Sequence, residues 1–163
     1  MKSRQTASDH PHGGPSVCVN AAIRRAARRM GQIYDDAFEP IGLRATQYSL
    51  MAQIDRVGAP TMRVLAEHLV MDLSALGHTL KPLMRDGFVE LVVDEEDRRR
   101  RRVHLTKEGR AKLAQARLIW KKVQVGFDDV FGQPGAAQLR ATLDLISSAN
   151  FSERMTALLE SMS

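Results

Sequence analysis

Residues 61–109 read TMRVLAEHLVMDLSALGHTLKPLMRDGFVELVVDEEDRRRRRVHLTKEG, and the order of patterns inside them decides the fold. Thr61 is placed to cap a short helix carrying Val64, Leu65 and Leu69. Three residues on, Asp72 is a natural N-cap for a further helix through about Arg85, with Leu76, Leu80 and Leu83 at helical spacing as its inward stripe. Two short helices with a three-residue joint make a minimal helix-turn-helix, although this joint lacks glycine. Gly87 stops the second helix, and Phe88–Val93, rich in β-branched residues, reads as a strand. Asp94–Asp97 and five consecutive arginines, Arg98–Arg102, form a charged tip before Arg102–Leu105 returns as the partner strand. A helix of this kind can enter a major groove while the hairpin tip reaches the backbone or the minor groove. The arginine fork suits phosphates and base edges. A solvated loop is the alternative for the arginine run.

Downstream, Thr106 caps a long helix whose stripe is Leu113, Ala116, Trp120, Val123, Phe127 and Val130. Residues 131–135 read as a turn, and one last helix carries Leu139, Leu143, Ile146, Phe151, Met155 and Leu158. Upstream, residues 17–38 form a helix with Val19, Ile23, Ala26, Met30, Ile33 and Ala37 on one stripe and Arg24, Arg25, Arg28 and Arg29 off it, ended by Pro40 and Gly42. Thr46 is placed to cap a helix from about Gln47 to Arg56, with Tyr48, Leu50, Met51 and Ile54 apolar. One small DNA-binding core cannot bury the stripes of the first helix and of both C-terminal helices, so the surplus asks for a second copy across a two-fold axis. Packing of the two C-terminal helices within one chain is the alternative. The expected fold is mainly α with a small β-hairpin: a winged helix-turn-helix with N- and C-terminal dimerisation helices. It divides into a flexible arm (1–16), a first-helix dimerisation region (17–45), the winged DNA-binding region (46–105) and C-terminal dimerisation helices (106–163).

Composition narrows the function classes. With 163 residues and 44% hydrophobic content the chain can build a core. No apolar run approaches the roughly 20 residues of a membrane span. The start, MKSRQTASDHPHGGPS, has no apolar signal-peptide core. A cytoplasmic protein, nucleoid-associated when bound to DNA, is expected. The single cysteine, Cys18, rules out a disulfide framework and a multi-cysteine zinc site. His10 and His12 are two ligands at most, so no metal or cofactor is expected. The net charge of +5 fits a polyanionic partner only weakly; arginine, 18 of the 24 basic residues, says more by where it sits. A G-x-G-x-x-G or Walker loop, H-E-x-x-H and G-x-S-x-G are all missing, and Asp35 and Asp36 are adjacent rather than facing, so an enzyme is not expected.

The stretch Asp97–Gly109, DRRRRRVHLTKEG, matches D-x-R-x-x-x-x-x-L-T-x-x-G, and this resembles the wing signature of the MarR family of winged-helix regulators. YDDAFEPIGLRATQYSLM and LAEHLVMDLSALGHTLKPLMRDGFV resemble the family's second helix and helix-turn-helix, so the likeness spans about residues 18–160. It implies a triangular homodimer with interlocked terminal helices that binds pseudo-palindromic double-stranded DNA operators, usually as a repressor, and releases them when a small phenolic or other anionic aromatic effector binds. Residue by residue, the resemblance makes Asp97 the wing aspartate that holds a neighbouring arginine, Arg99 the arginine that enters the minor groove, and Leu105, Thr106 and Gly109 structural. Arg98, Arg100 and Arg101 join Arg99 as wing contacts.

On the recognition helix, Ser74, Ala75, Gly77, His78 and Lys81 should face away from the leucine stripe. His78 can donate to a base or phosphate, Lys81 to phosphate, and Ala75 can meet a thymine methyl. This face departs from many relatives, which carry hydroxyls and arginine there, and Pro82 sits inside the helix, where it removes an i to i−4 bond and can kink it; both put the operator sequence in doubt. By the resemblance, an effector pocket between the lobes would draw on Arg28, Tyr34, Phe38, Tyr48, Met51, Met62 and His68. Each of these also fits a plain core role. Peroxide-sensing members use a first-helix cysteine, and Cys18 falls two residues upstream of that position. A thiol-based repressor and a non-specific architectural DNA-binding protein therefore stand as alternatives to a ligand-relieved repressor.

Overall fold

The computed structural model describes residues 18–163; the expected arm (1–16) and the His10/His12 pair lie outside them. Helix α1 (Val19–Phe38) leads through a 3₁₀ turn at Glu39–Ile41 into α2 (Ala45–Val57). Then follow α3 (Met62–His68), α4 (Leu73–Arg85), strands β1 (Val89–Val93) and β2 (Arg101–Leu105), and helices α5 (Lys107–Phe131), α6 (Gln133–Ile146) and α7 (Ala149–Ser161). The strands form an antiparallel hairpin in register from Val89 opposite Leu105 to Val93 opposite Arg101. Thr61 forms a single β-bridge to Arg102, which ties the hairpin to the segment before α3.

One buried cluster holds these elements. Leu50, Met51 and Ile54 of α2 meet Leu65 of α3, Leu76, Leu80 and Leu83 of α4, Val89 and Val103 of the hairpin and Leu113 and Ala116 of α5. Phe38 closes it from α1, its ring 4.9 Å from that of Tyr48. The core thus runs without a break across positions 45/46 and 105/106. Side-chain caps fix three helix starts where the sequence places them: Thr61 accepts from the Val64 N–H, Asp72 from Ala75 and Thr106 from Gly109.

Three expectations are corrected. Thr46 caps nothing; α2 starts at Ala45, whose N–H donates to Asp35 Oδ1 at 2.7 Å, while the Arg44 N–H donates to Gln47 Oε1 at 2.9 Å. A carboxylate from the preceding helix satisfies an orphan donor there, which local spacing cannot reveal. The turn at 131–135 shrinks to Gly132 because Pro134 is favourable in the first turn of a helix. The single last helix is two, because Ser148 ends one, its hydroxyl donating to the Leu145 carbonyl, and caps the next by accepting from the Phe151 N–H.

The joint between α3 and α4 does without glycine at a cost. Val70, 74% exposed, sits at φ +52, a conformation worth about 1–2 kcal/mol against an L-residue.

The terminal helices leave much apolar surface uncovered. Val19, Ile33, Val130 and Leu158 of the expected stripes are exposed, as are Leu118, Val125, Leu145 and Leu159 off them, whereas Leu113 and Ala116 of the α5 stripe are buried in the core. Ala136 is the one buried residue of α6, and α7 has none.

Candidate nucleic-acid interface

Helix α4 turns Leu76, Leu80 and Leu83 inward, and Ser74, His78 and Lys81 are exposed on the other side, as the spacing requires. Ala75 and Gly77 are half-buried rather than facing freely outward. The Thr79 hydroxyl donates to the Ala75 carbonyl at 2.9 Å. Pro82 lies inside the helix without ending it; the helix runs to Arg85 and Gly87 follows at φ +73, where glycine avoids the Cβ penalty.

The hairpin tip is organised by two aspartates. Asp97 accepts from the Arg99 N–H at 3.0 Å and pairs with Arg100 Nε at 3.1 Å, so the arginine it holds is Arg100. Asp94, expected within the charged tip, is buried. Its Oδ1 accepts from the N–H groups of Glu96 and Asp97 at 2.8 and 3.0 Å, and its Oδ2 from Arg102 Nε at 2.5 Å. Those two backbone donors, Asp97 first, hold its pKa below the ordinary aspartate range; burial opposes them and Arg102 adds to them. Arg102 Nη1 also donates to the Ala59 carbonyl at 3.2 Å. Arg98, Arg99, Arg100 and Arg101 are all exposed. A cleft of about 580 Å³ opens between the tip and the helix pair, with Met62, Val64 and Leu73 as its apolar side and Arg99, Arg100 and Arg101 along its rim.

The root of the hairpin explains Gly109. A Cβ there would lie 1.9 Å from the Phe88 carbonyl oxygen, so nothing larger than glycine fits without moving backbone. Thr106 completes the joint, its hydroxyl donating to the Gly87 carbonyl at 2.7 Å and its N–H to the Phe88 carbonyl at 3.1 Å.

A second cleft, of about 390 Å³, lies between α1, α2 and α5, lined by Tyr34, Tyr48, Ser49, Gln53, Arg56 and Trp120. The buried Gln53 Nε2 has no hydrogen-bond partner, whereas its Oε1 accepts from Arg56 Nε at 3.1 Å. Burial raises the pKa of both tyrosines, a hydrogen bond from Gln124 opposing this at Tyr34 and the charge of Arg117 at Tyr48, so both phenols stay neutral and can donate. Of the residues expected to line an effector pocket, Tyr34 and Tyr48 share this cleft. Phe38 and Met51 are wholly buried in the core, Met62 faces the wing cleft, and Arg28 and His68 are exposed elsewhere. Neither Gln53 nor Trp120 was expected in this cleft: Trp120 reads from the sequence only as part of the α5 stripe, and a glutamine on a helix carries no signal until its neighbours are known. Cys18 is exposed at the N-cap of α1.

Against known proteins, the sequence model described as the MarR family matches residues 41–100. The crystal structure of the M. tuberculosis transcriptional regulator MosR in complex with DNA is 34% identical, covering 84% of this chain and 98% of its own, with a TM-score of 0.74. This chain belongs to the MarR family. It is a DNA-binding transcriptional regulator with the family's winged helix-turn-helix fold, and the family's members are regulators rather than enzymes. CouR from Rhodococcus jostii RHA1 bound to p-coumaroyl-CoA shares the fold at 22% identity and a TM-score of 0.71, over 83% of this chain and 96% of its own. YwoH of Bacillus subtilis (strain 168), an uncharacterised HTH-type transcriptional regulator, is 29% identical over 93 residues, 57% of this chain and 67% of its own length. In this MarR-family chain no helix among the described residues is long and apolar enough to cross a membrane.

Proposed function

We propose that the chain is a sequence-specific repressor that binds a pseudo-palindromic operator as a homodimer and is relieved by a small aromatic or anionic effector. The observation that carries the reading is the pairing of an exposed polar face on α4 with an arginine tip beside it. Ser74, His78 and Lys81, with Ala75 and Gly77 at the edge of the same face, read the major groove. Arg98–Arg101 neutralise phosphates and reach the minor groove. A second copy covers the apolar stripes of α1, α5, α6 and α7 and sets two α4 helices one helical turn apart. Such a dimer occludes a promoter.

For relief, the α1–α2–α5 cleft supports a ligand. The unpartnered Gln53 amide and two neutral phenols would meet an acceptor on an aromatic molecule bound against Trp120, with Arg56 able to pair a carboxylate. The DNA part of the proposal is tested by gel shift on the intergenic DNA flanking its gene, against scrambled competitor. Tight binding that resists competitor is expected. Equal displacement by scrambled DNA would instead fit an architectural protein.

A further inference from the structure

Resting on the reading that the wing contacts DNA, we propose that Asp94 is the positioning residue of the wing, fixing where Arg98–Arg101 stand relative to α3 and α4. Its carboxylate is 3% exposed, whereas Glu95 and Glu96 beside it are exposed. Each oxygen has a separate task. Oδ1 gathers the N–H groups of Glu96 and Asp97 and so shapes the turn that leads into the arginines. Oδ2 holds Arg102, which in turn donates to the Ala59 carbonyl in the corner between α2 and α3. The Asp94 N–H closes the opposite side of the tip by donating to the Arg100 carbonyl at 3.1 Å. Asp97, fixed by this turn, then holds the Arg99 backbone and the Arg100 side chain. A single chain of contacts therefore runs from the body of the DNA-binding lobe, through Arg102 and Asp94, to the arginines.

The sign of the effect separates positioning from simple charge. Asp94 is an anion in a surface that meets a polyanion, so deleting its charge should by itself strengthen DNA binding. Positioning predicts the reverse. Asp94→Asn keeps an oxygen for the turn but sets an amide against Arg102, whereas Asp94→Ala loses both tasks.

The test is duplex-DNA affinity of the full chain over a salt series, with Arg99→Ala as reference and helical circular dichroism and sedimentation run alongside. Arg99→Ala is expected to weaken binding and reduce the log–log salt slope by about 1. Asp94→Asn is expected to bind at least about fivefold more weakly, with its salt slope reduced although the net positive charge has risen, and with fold and assembly unchanged. In an Arg102→Met background the same substitution should cost less than in the wild type, because its partner is already gone. Binding by Asp94→Asn as tight as wild type, with Arg99→Ala weakened, overturns the positioning role alone. An unaffected Arg99→Ala removes the wing from the DNA and overturns both readings. An Asp94→Asn chain that loses its helical signal assigns the carboxylate to stability and also overturns the proposal, with Asp94→Ala not needed to decide.

Discussion

Asp94 is the one buried polar or charged residue among those described, and its pH behaviour follows from what holds it. Its folded pKa lies below the ordinary value near 3.8. The stability this confers is fully present above that value and is lost as pH falls through the lower folded one. Urea midpoints measured between pH 6 and pH 2.5 should fall less steeply for Asp94→Asn than for the wild type. Parallel curves for the two would show that the carboxylate gains nothing on folding. That Asp97 holds the wing could be read from the sequence because it sits at a fixed position in a motif, although the side chain it pairs with is Arg100. Asp94 could not, because an acid at a hairpin tip becomes buried only when a residue eight positions on, Arg102, folds over it while reaching back to Ala59. Gln53 was hidden for the same kind of reason: its amide nitrogen is enclosed only by the packing of α1, α2 and α5 around it.

Among the elements, those set by local chemistry were legible. Thr61, Asp72 and Thr106 cap the helices they precede, and the hairpin pairs as its β-branched run suggests. The start of α2 was not legible, because its capping oxygen comes from Asp35 on another helix. Nor was the break between α6 and α7, where one serine both ends and begins a helix within an otherwise continuous apolar pattern. Gly109 belongs to this scale too, since it sets how closely α5 approaches the root of the wing. Gly109→Ala would force the Phe88 backbone to move and should cost about 3 kcal/mol, because overpacking against main chain has no rotamer to relieve it. Thermal unfolding reads this directly. An unchanged midpoint would mean that the wing root can shift freely.

For the molecule as a whole, the surplus of apolar helix surface is the feature that a single chain leaves unresolved. Leu118, Val125 and Val130 on α5 and Leu158 and Leu159 on α7 are more than half exposed, and Val19 extends the surface onto α1. The sequence pattern made part of this surplus visible: Val19, Val130 and Leu158 lie on the expected stripes, whereas Leu118, Val125 and Leu159 lie off them and Leu113 and Ala116 of the α5 stripe enter the core. Which residues of a second copy meet them is beyond a pattern of spacings. The proposed two-fold dimer, built through these helices, would leave α4 and the wing of each copy free for DNA. Hydroxyl-radical footprinting of the dimer on its operator tests it most directly. Two symmetry-related half-sites centred about 10 base pairs apart are expected, with minor-groove protection at the outer edges where the arginine tips would lie. Diffuse protection with no preferred position, or a single unpaired half-site, would contradict it.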